Sequence, residues 1–194
     1  LIDRDVVETG NLHRQMLYSE ADAAACRPKA IAAAEHLAEA NSTIQISAEV
    51  ADLQAPLADR LLSPADIILD ATDNYETRFL INDWAVANKR PWIYGGVLAT
   101  GGMSATIIPG ETACLACLQS DAPPPGRTPT CDTAGILPPV VQAIAAIQVM
   151  EVLKLVAKKL EPARGDLLFM DLWTGESTRI PTMRNPDCPC CARQ

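Results

Sequence analysis

An α/β fold built on a doubly wound mixed sheet, parallel in its first half with an antiparallel extension, is predicted by three features of the sequence. Strand-like and helix-like segments alternate from Leu1 to Val97. The run Ile67–Leu69 is wholly apolar and ends in Asp70, as a strand buried on both faces of a parallel sheet does. Finally, Met103–Ile108 and Asp166–Leu172 read as strands without crossovers of the same kind.

Each element has a local reason. Leu1–Asp3 reads as the end of a strand, and Glu8–Asn11 as a polar turn leading into a helical stretch. The Ala-rich run from Pro28 to Asn41 has high helix propensity, a Pro near its first position and an Asn at its end, so it predicts a helix. Ile44, Ile46, Ala48 and Val50 alternate with polar residues as a half-buried strand would, and Ala55–Leu62 offers a short helix before Ser63-Pro64. A helix over Tyr75–Asn88 then leads to a strand over Trp92–Val97. Right-handed crossovers between these elements place the ligand site at the C-terminal ends of the strands, where Asp3 and Asp70 both fall.

Beyond the Pro-rich loop Gln119–Pro129, a helix from about Pro139 to Lys159 is apolar around most of its circumference in its first half. That pattern suits a central helix or a homodimer interface, and Lys154, Lys158 and Lys159 favour the negative end of its dipole. The apolar stretch Val140–Leu153 is broken by Gln142, Gln148 and Glu151 and is shorter than the roughly 20 residues of a membrane span.

Composition narrows the function. With 194 residues, 48% hydrophobic and 21% charged, the chain suits one globular domain over 1–194 with a sizeable core. A net charge of −8 argues against nucleic acid as the main partner, because phosphate backbones need a basic footprint. The chain opens on Leu1 without the basic-then-apolar pattern of a signal peptide, so further sequence upstream is expected. Seven cysteines cannot all pair internally, and they fit a reducing compartment, the cytoplasm, better than a disulfide framework.

Four of those cysteines carry a metal signature. Cys114-Leu-Ala-Cys117 and Cys188-Pro-Cys-Cys191 are two Cys-x-x-Cys pairs, each able to grip one tetrahedral ion through a tight turn. Four thiolates select zinc and leave no open position for water or substrate, so the role is structural, a staple on the C-terminal part of the chain. Scattered buried or reactive thiols are the alternative, which two properly spaced pairs in one short chain oppose. Cys190 is an ambiguous member of the second group, although the x-x spacing favours Cys188 with Cys191.

A second constellation mixes acids, amides and cations: Asp3-Arg-Asp5, Gly10-Asn11-Leu12-His13-Arg14-Gln15, Pro28-Lys29 and Asp70-Ala-Thr-Asp73-Asn74, with Arg78 and Asn82 following. An acid at a strand end can take a ribose hydroxyl, Arg and Lys can neutralise a triphosphate, and a second acid can hold Mg²⁺. Followed by the two Cys-x-x-Cys pairs and by Thr130-Cys131-Asp132-Thr133-Ala134-Gly135, the series resembles the E1-like adenylyltransferases of ThiF, MoeB and HesA type. These enzymes serve ubiquitin-like sulfur carriers in thiamine and molybdopterin biosynthesis, and the resemblance covers essentially the whole chain.

The resemblance implies a Rossmann-like ATP site. In it Asp3 holds the ribose, Asn11, Arg14 and Lys29 meet the phosphates, Asp73 holds Mg²⁺, and Asn74 supports the adenosine side. It implies adenylation of the carrier's C-terminal glycine, a sulfurtransferase or cysteine desulfurase as a further partner, and a covalent link to the carrier at Cys131. A non-catalytic, zinc-stapled scaffold for a ubiquitin-like partner is the alternative, and a nicotinamide-dependent oxidoreductase leaves the paired cysteines unexplained. The family opens on a first strand and glycine-rich loop that this sequence is expected to lack, which would weaken ATP binding. Gly95-Gly96 and Gly101-Gly102 read instead as turns or points of close backbone approach. Cys26 reads as a packed small residue, and His13 and His36 as structural.

Overall fold

The computed structural model describes residues 1–119, 131–157 and 165–192, and the chain forms two compact units, Leu1–Leu57 and Ala58–Gln194. In the first unit a 3-10 turn over Thr9–Asn11 precedes α1 (Glu20–Ala24) and α2 (Lys29–Ala40). A capping box starts α1: the Ser19 hydroxyl accepts from the Asp22 backbone N–H, and the Asp22 carboxylate accepts from that of Ser19. Pro28 and Asn41 bound α2, whose Ala30, Ala32 and Ala33 are buried.

The strand expected over Ile44–Val50 does not form. Only Glu49 pairs, in a parallel bridge with Ile2, where the Glu49 N–H donates to Leu1 and the Asp3 N–H to Glu49. Alternating apolar residues become a strand only where a neighbouring backbone supplies a ladder, and Ile44 is left 55% exposed. Cys26 is not a packed residue either. It is exposed with φ of 47°, at the tight bend that follows α1.

Helix α3 (Ala55–Leu62) begins in the first unit and ends in the second. The second unit continues with β1 (Ile68–Leu69), α4 (Tyr75–Ala87), β2 (Trp92–Leu98), β3 (Gly101–Ile107), α5 (Leu115–Leu118), α6 (Cys131–Ala134), α7 (Pro138–Val156), β4 (Asp166–Asp171) and β5 (Glu176–Pro181). Its five strands form one sheet in the order β1-β2-β3-β4-β5. β1 and β2 are parallel and every later pair is antiparallel, so the sheet is mixed, as predicted. β1 lies at an edge and is covered on one face only: Ile68 is buried and Leu69 is 42% exposed, which corrects the expectation of burial on both faces. β5 has all six residues exposed, and its polar Glu-Ser-Thr-Arg start gave no strand signal.

Helix α7 packs against β2 and β3 through Val140, Ile144 and Gln148. By length and composition alone it is apolar enough to cross a membrane, and only 17% of it is buried: Val149, Met150, Leu153 and Val156 are exposed. Glycines make the close approach possible. A Cβ on Gly95 would lie 2.4 Å from Gln148 Nε2, and one on Gly102 would lie 2.5 Å from Ile144 Cγ1. Both glycines sit inside strands rather than in turns, and the β2–β3 turn falls instead at Ala99–Thr100. Lys158, Lys159, Thr130 and nearly all of the Pro-rich loop lie outside the described residues.

Candidate functional site

Four sulfurs converge in the second unit. Cys114 is the N-cap residue of α5 and Cys117 lies within that helix, while Cys188 and Cys191 occupy a turn-rich segment after β5. Their Sγ atoms all lie within 4.8 Å of one another. Cys114 and Cys117 are 3.8 Å apart, Cys114 and Cys188 3.6 Å, and Cys117 and Cys191 3.4 Å. Zinc–thiolate bonds of about 2.3 Å in a tetrahedron imply sulfur–sulfur edges of about 3.8 Å, so the donor set fits a zinc ion in size and chemistry.

Backbone groups support these sulfurs. The Asn185 N–H donates to Cys117 Sγ at 3.3 Å, and Arg184 donates to the carbonyls of Gly110 and Cys191, each at 2.8 Å. Burial pushes the Cys114 and Cys191 thiols up. Burial also acts on Cys188, but the N–H groups of Cys191 and Cys190 and the neighbouring thiols outweigh it and draw Cys188 down to about 7. A bound zinc ion would hold all four as thiolates. Cys190 stands outside the set; burial first, then Asp83, pushes its thiol up to about 12.

The segment after β1 is organised by a buried ion pair. Asp70 is 1% exposed and accepts from Arg78 Nε at 3.1 Å, from the Thr72 N–H and hydroxyl at 2.8 and 2.7 Å, and from the Gly95 N–H at 3.4 Å. Burial raises its carboxyl pKa against the opposing pull of Arg78 and Thr72. Arg78 also reaches the carbonyls of Thr72 and Gly95, and its guanidinium lies 5.6 and 5.5 Å from the Tyr75 and Tyr94 ring centroids. Gln148 donates to the carbonyls of Asp70 and Ile93 at 2.7 and 3.2 Å. The Asp70–Asn74 loop is therefore fixed from β2, α4 and α7. At its end Asp73 is exposed, 3.4 Å from Asn74 Nδ2, while Asn74 caps α4 by accepting from the Thr77 N–H at 2.8 Å.

In the first unit the structure brings Arg14 and Asn11 together, with Nη2 donating to Oδ1 at 2.8 Å, and Asn11 donates to Glu8 at 3.3 Å. Lys29, 7% exposed, pairs with Asp5 at 3.3 Å rather than with Asp3. Asp3 accepts the Asp5 N–H at 2.8 Å. His36 joins a separate cluster with Asp22, Ser19 and Arg27, and His13 contacts the Gly10 carbonyl at 3.0 Å. The Cys131 and Asp132 side chains lie outside the described residues.

The sequence profile of the ThiF family matches residues 1–190. The chain belongs to the ThiF family. It is 41% identical over 194 residues to the sulfur carrier protein ThiS adenylyltransferase of Bacillus subtilis, covering 98% of this chain and 56% of that protein. Against the sulfur carrier protein adenylyltransferase of Thermus thermophilus the identity is 35% over 199 residues, covering 98% of this chain and 72% of the relative. The fold matches the crystal structure of E. coli MccB with ATP at a TM-score of 0.84 and 23% identity, over 99% of this chain and 59% of that one. This ThiF-family chain thus spans little more than half of some of its relatives.

Sequence reasoning named Arg78 and Asn82 but gave them no part, and it treated Gln148 only as a break in an apolar run. All three prove to be buried polar anchors of the site. A signal was present: Asn74, Arg78 and Asn82 recur every fourth residue, which puts three amide or guanidinium groups on one helical face.

Proposed function

We propose that this ThiF-family protein adenylates the C-terminal glycine of a ubiquitin-like sulfur-carrier protein in thiamine or molybdopterin biosynthesis. The observation that carries this reading is the similarity along 98% of the chain to two sulfur-carrier adenylyltransferases. The carrier's terminal carboxylate oxygen attacks the α-phosphorus of ATP. A new O–P bond forms, the bond from that phosphorus to the bridging oxygen breaks, and pyrophosphate leaves. The attacking group is already ionised, so no protein base is required, and catalysis consists of positioning and charge neutralisation.

Under this reading Asp3 binds the ribose, Asn11, Arg14 and Lys29 bind the phosphates, and Asn74 supports the adenosine side. Asp73 holds magnesium, a single exposed carboxylate being suited to an ion that takes its other ligands from phosphates and water. Bound magnesium would supply neutralisation of phosphate charge. Lys29 would exchange Asp5 for phosphate, and Arg14 is held in place by Asn11. Zinc on Cys114, Cys117, Cys188 and Cys191 is structural. The same reading includes a covalent carrier adduct at Cys131, a sulfurtransferase or cysteine desulfurase partner, a homodimer and a cytoplasmic location.

The test is carrier-dependent exchange of labelled pyrophosphate into ATP by zinc-loaded protein. Exchange that requires the carrier's terminal glycine is expected; absence of exchange with a folded carrier defeats the reading. For Cys131, a Cys131→Ser variant should lose a carrier adduct that is sensitive to reductant, and persistence of that adduct would remove Cys131 from the mechanism.

A further inference from the structure

We infer that Asn82 is a positioning residue coupling the metal centre to the Asp70–Asn74 loop through one face of α4. Its side chain is fully buried. The amide oxygen accepts the Leu115 N–H at 2.8 Å, between the two metal-binding cysteines of α5. The amide nitrogen donates to Cys190 Sγ at 3.2 Å, between the two metal-binding cysteines of the later segment, and to Asp83 at 3.2 Å. One side chain thus bonds to both Cys-x-x-Cys loops.

One helical turn earlier, on the same face, Arg78 binds the Asp70 carboxylate and the Thr72 and Gly95 carbonyls. One turn before that, Asn74 caps the helix. The route from sulfur to Asp73 therefore runs through two buried, hydrogen-bonded side chains on α4. A metal centre needs its ligand loops held by outer contacts, and here those contacts belong to the helix whose first residues carry the candidate magnesium and adenosine groups. A metal held by Cys114, Cys117, Cys188 and Cys191 would secure the two loops that carry Leu115 and Cys190; these two residues hold Asn82, and through it α4 at the depth where Arg78 meets Asp70. The coupling stands on the geometry; its effect on nucleotide rests on the function proposed above.

The experiment compares Asn82→Ala and Cys190→Ala with wild-type protein, each at equal zinc content by elemental analysis, using amide hydrogen exchange and ATP-dependent kinetics. Cys190 lies outside the four-sulfur set, so its variant breaks one tie without removing a ligand. Asn82→Ala is expected to speed exchange at residues 70–78 and 114–118 by about tenfold, the equivalent of one lost buried hydrogen bond, and Cys190→Ala by less. Amides of β2 and β3 should keep their protection. The ATP KM should rise about tenfold for Asn82→Ala while kcat holds within about twofold, because the lost interaction serves binding in ground and transition states alike.

Wild-type exchange at 70–78 in both variants overturns the coupling, and so does acceleration spread equally through β2 and β3, which would mean general loosening. Faster exchange confined to 70–78 with an unchanged ATP KM would uphold the coupling and instead remove this loop from the nucleotide site.

Discussion

At the scale of single residues, Arg14 and Asp22 separate function from stability. Among the described residues Arg14 bonds to its neighbours Gly10 and Asn11, so Arg14→Ala should lower pyrophosphate exchange by about a hundredfold or more, the usual size of a lost charge-stabilising donor. Its melting temperature should stay within about 2 °C of wild type, since surface changes of this kind rarely exceed half a kcal/mol. Asp22 behaves oppositely. Its carboxylate accepts from Ser19, Arg27 and His36, and chiefly the Ser19 hydroxyl and N–H hold its pKa well below the ordinary 3.8. A depressed carboxyl pKa contributes stability above the unfolded value, and that stability is lost as pH falls through the folded one. Asp22→Asn should therefore be less stable at neutral pH and lose less on acidification, as thermal melts from about pH 6 to pH 2 would record. The cysteine pairs were legible because ligand spacing is local. The distant partners of Asp70 and Asn82 were not, because Gly95, Gln148, Leu115 and Cys190 lie on β2, α7, α5 and the Cys188–Cys191 segment, at separations that no periodicity encodes.

Among elements, the longer helices and the strands β1 to β4 were read closely, while the short helices α1, α5 and α6 and the strand β5 went unread. Ala55–Leu62 and Tyr75–Asn88 matched α3 and α4 nearly residue for residue, since capping and propensity act within a few residues. β5 and the absent strand at Ile44–Val50 fail for one shared reason: a strand exists only where another backbone lies beside it, and side-chain pattern reports that indirectly. The contact of α7 with the sheet gives a test at this level. Gly102→Ala would drive a methyl group into Ile144 and towards the Gly96 carbonyl, so it should cost about 1–3 kcal/mol in denaturant unfolding, as overpacked cores do. The same change at the exposed Gly10, where a Cβ meets nothing within 4 Å, should leave stability within about 0.5 kcal/mol.

For the molecule as a whole, the mixed sheet was predictable from the order of its strand-like segments, but the division at Leu57 was not, because apolar content is even on both sides of it. Zinc supplies the prediction at this scale. Purified protein should carry about one zinc per chain, and stripping it with a chelator should lower the melting temperature in a manner that restored zinc reverses, since metal bound only by the folded state adds its binding energy to folding. Cys191→Ser should reproduce the loss. The spacing of the sulfurs has a temporal consequence as well. The paired sulfurs stand 74 positions apart, and at roughly 5–20 residues per second of synthesis the first pair waits about 4 to 15 s for the second. During that interval two thiols are in solvent with at most half a coordination sphere, open to oxidants and to competing ions such as copper. A nascent chain of this protein therefore has a brief window of chemical vulnerability that the finished one does not share.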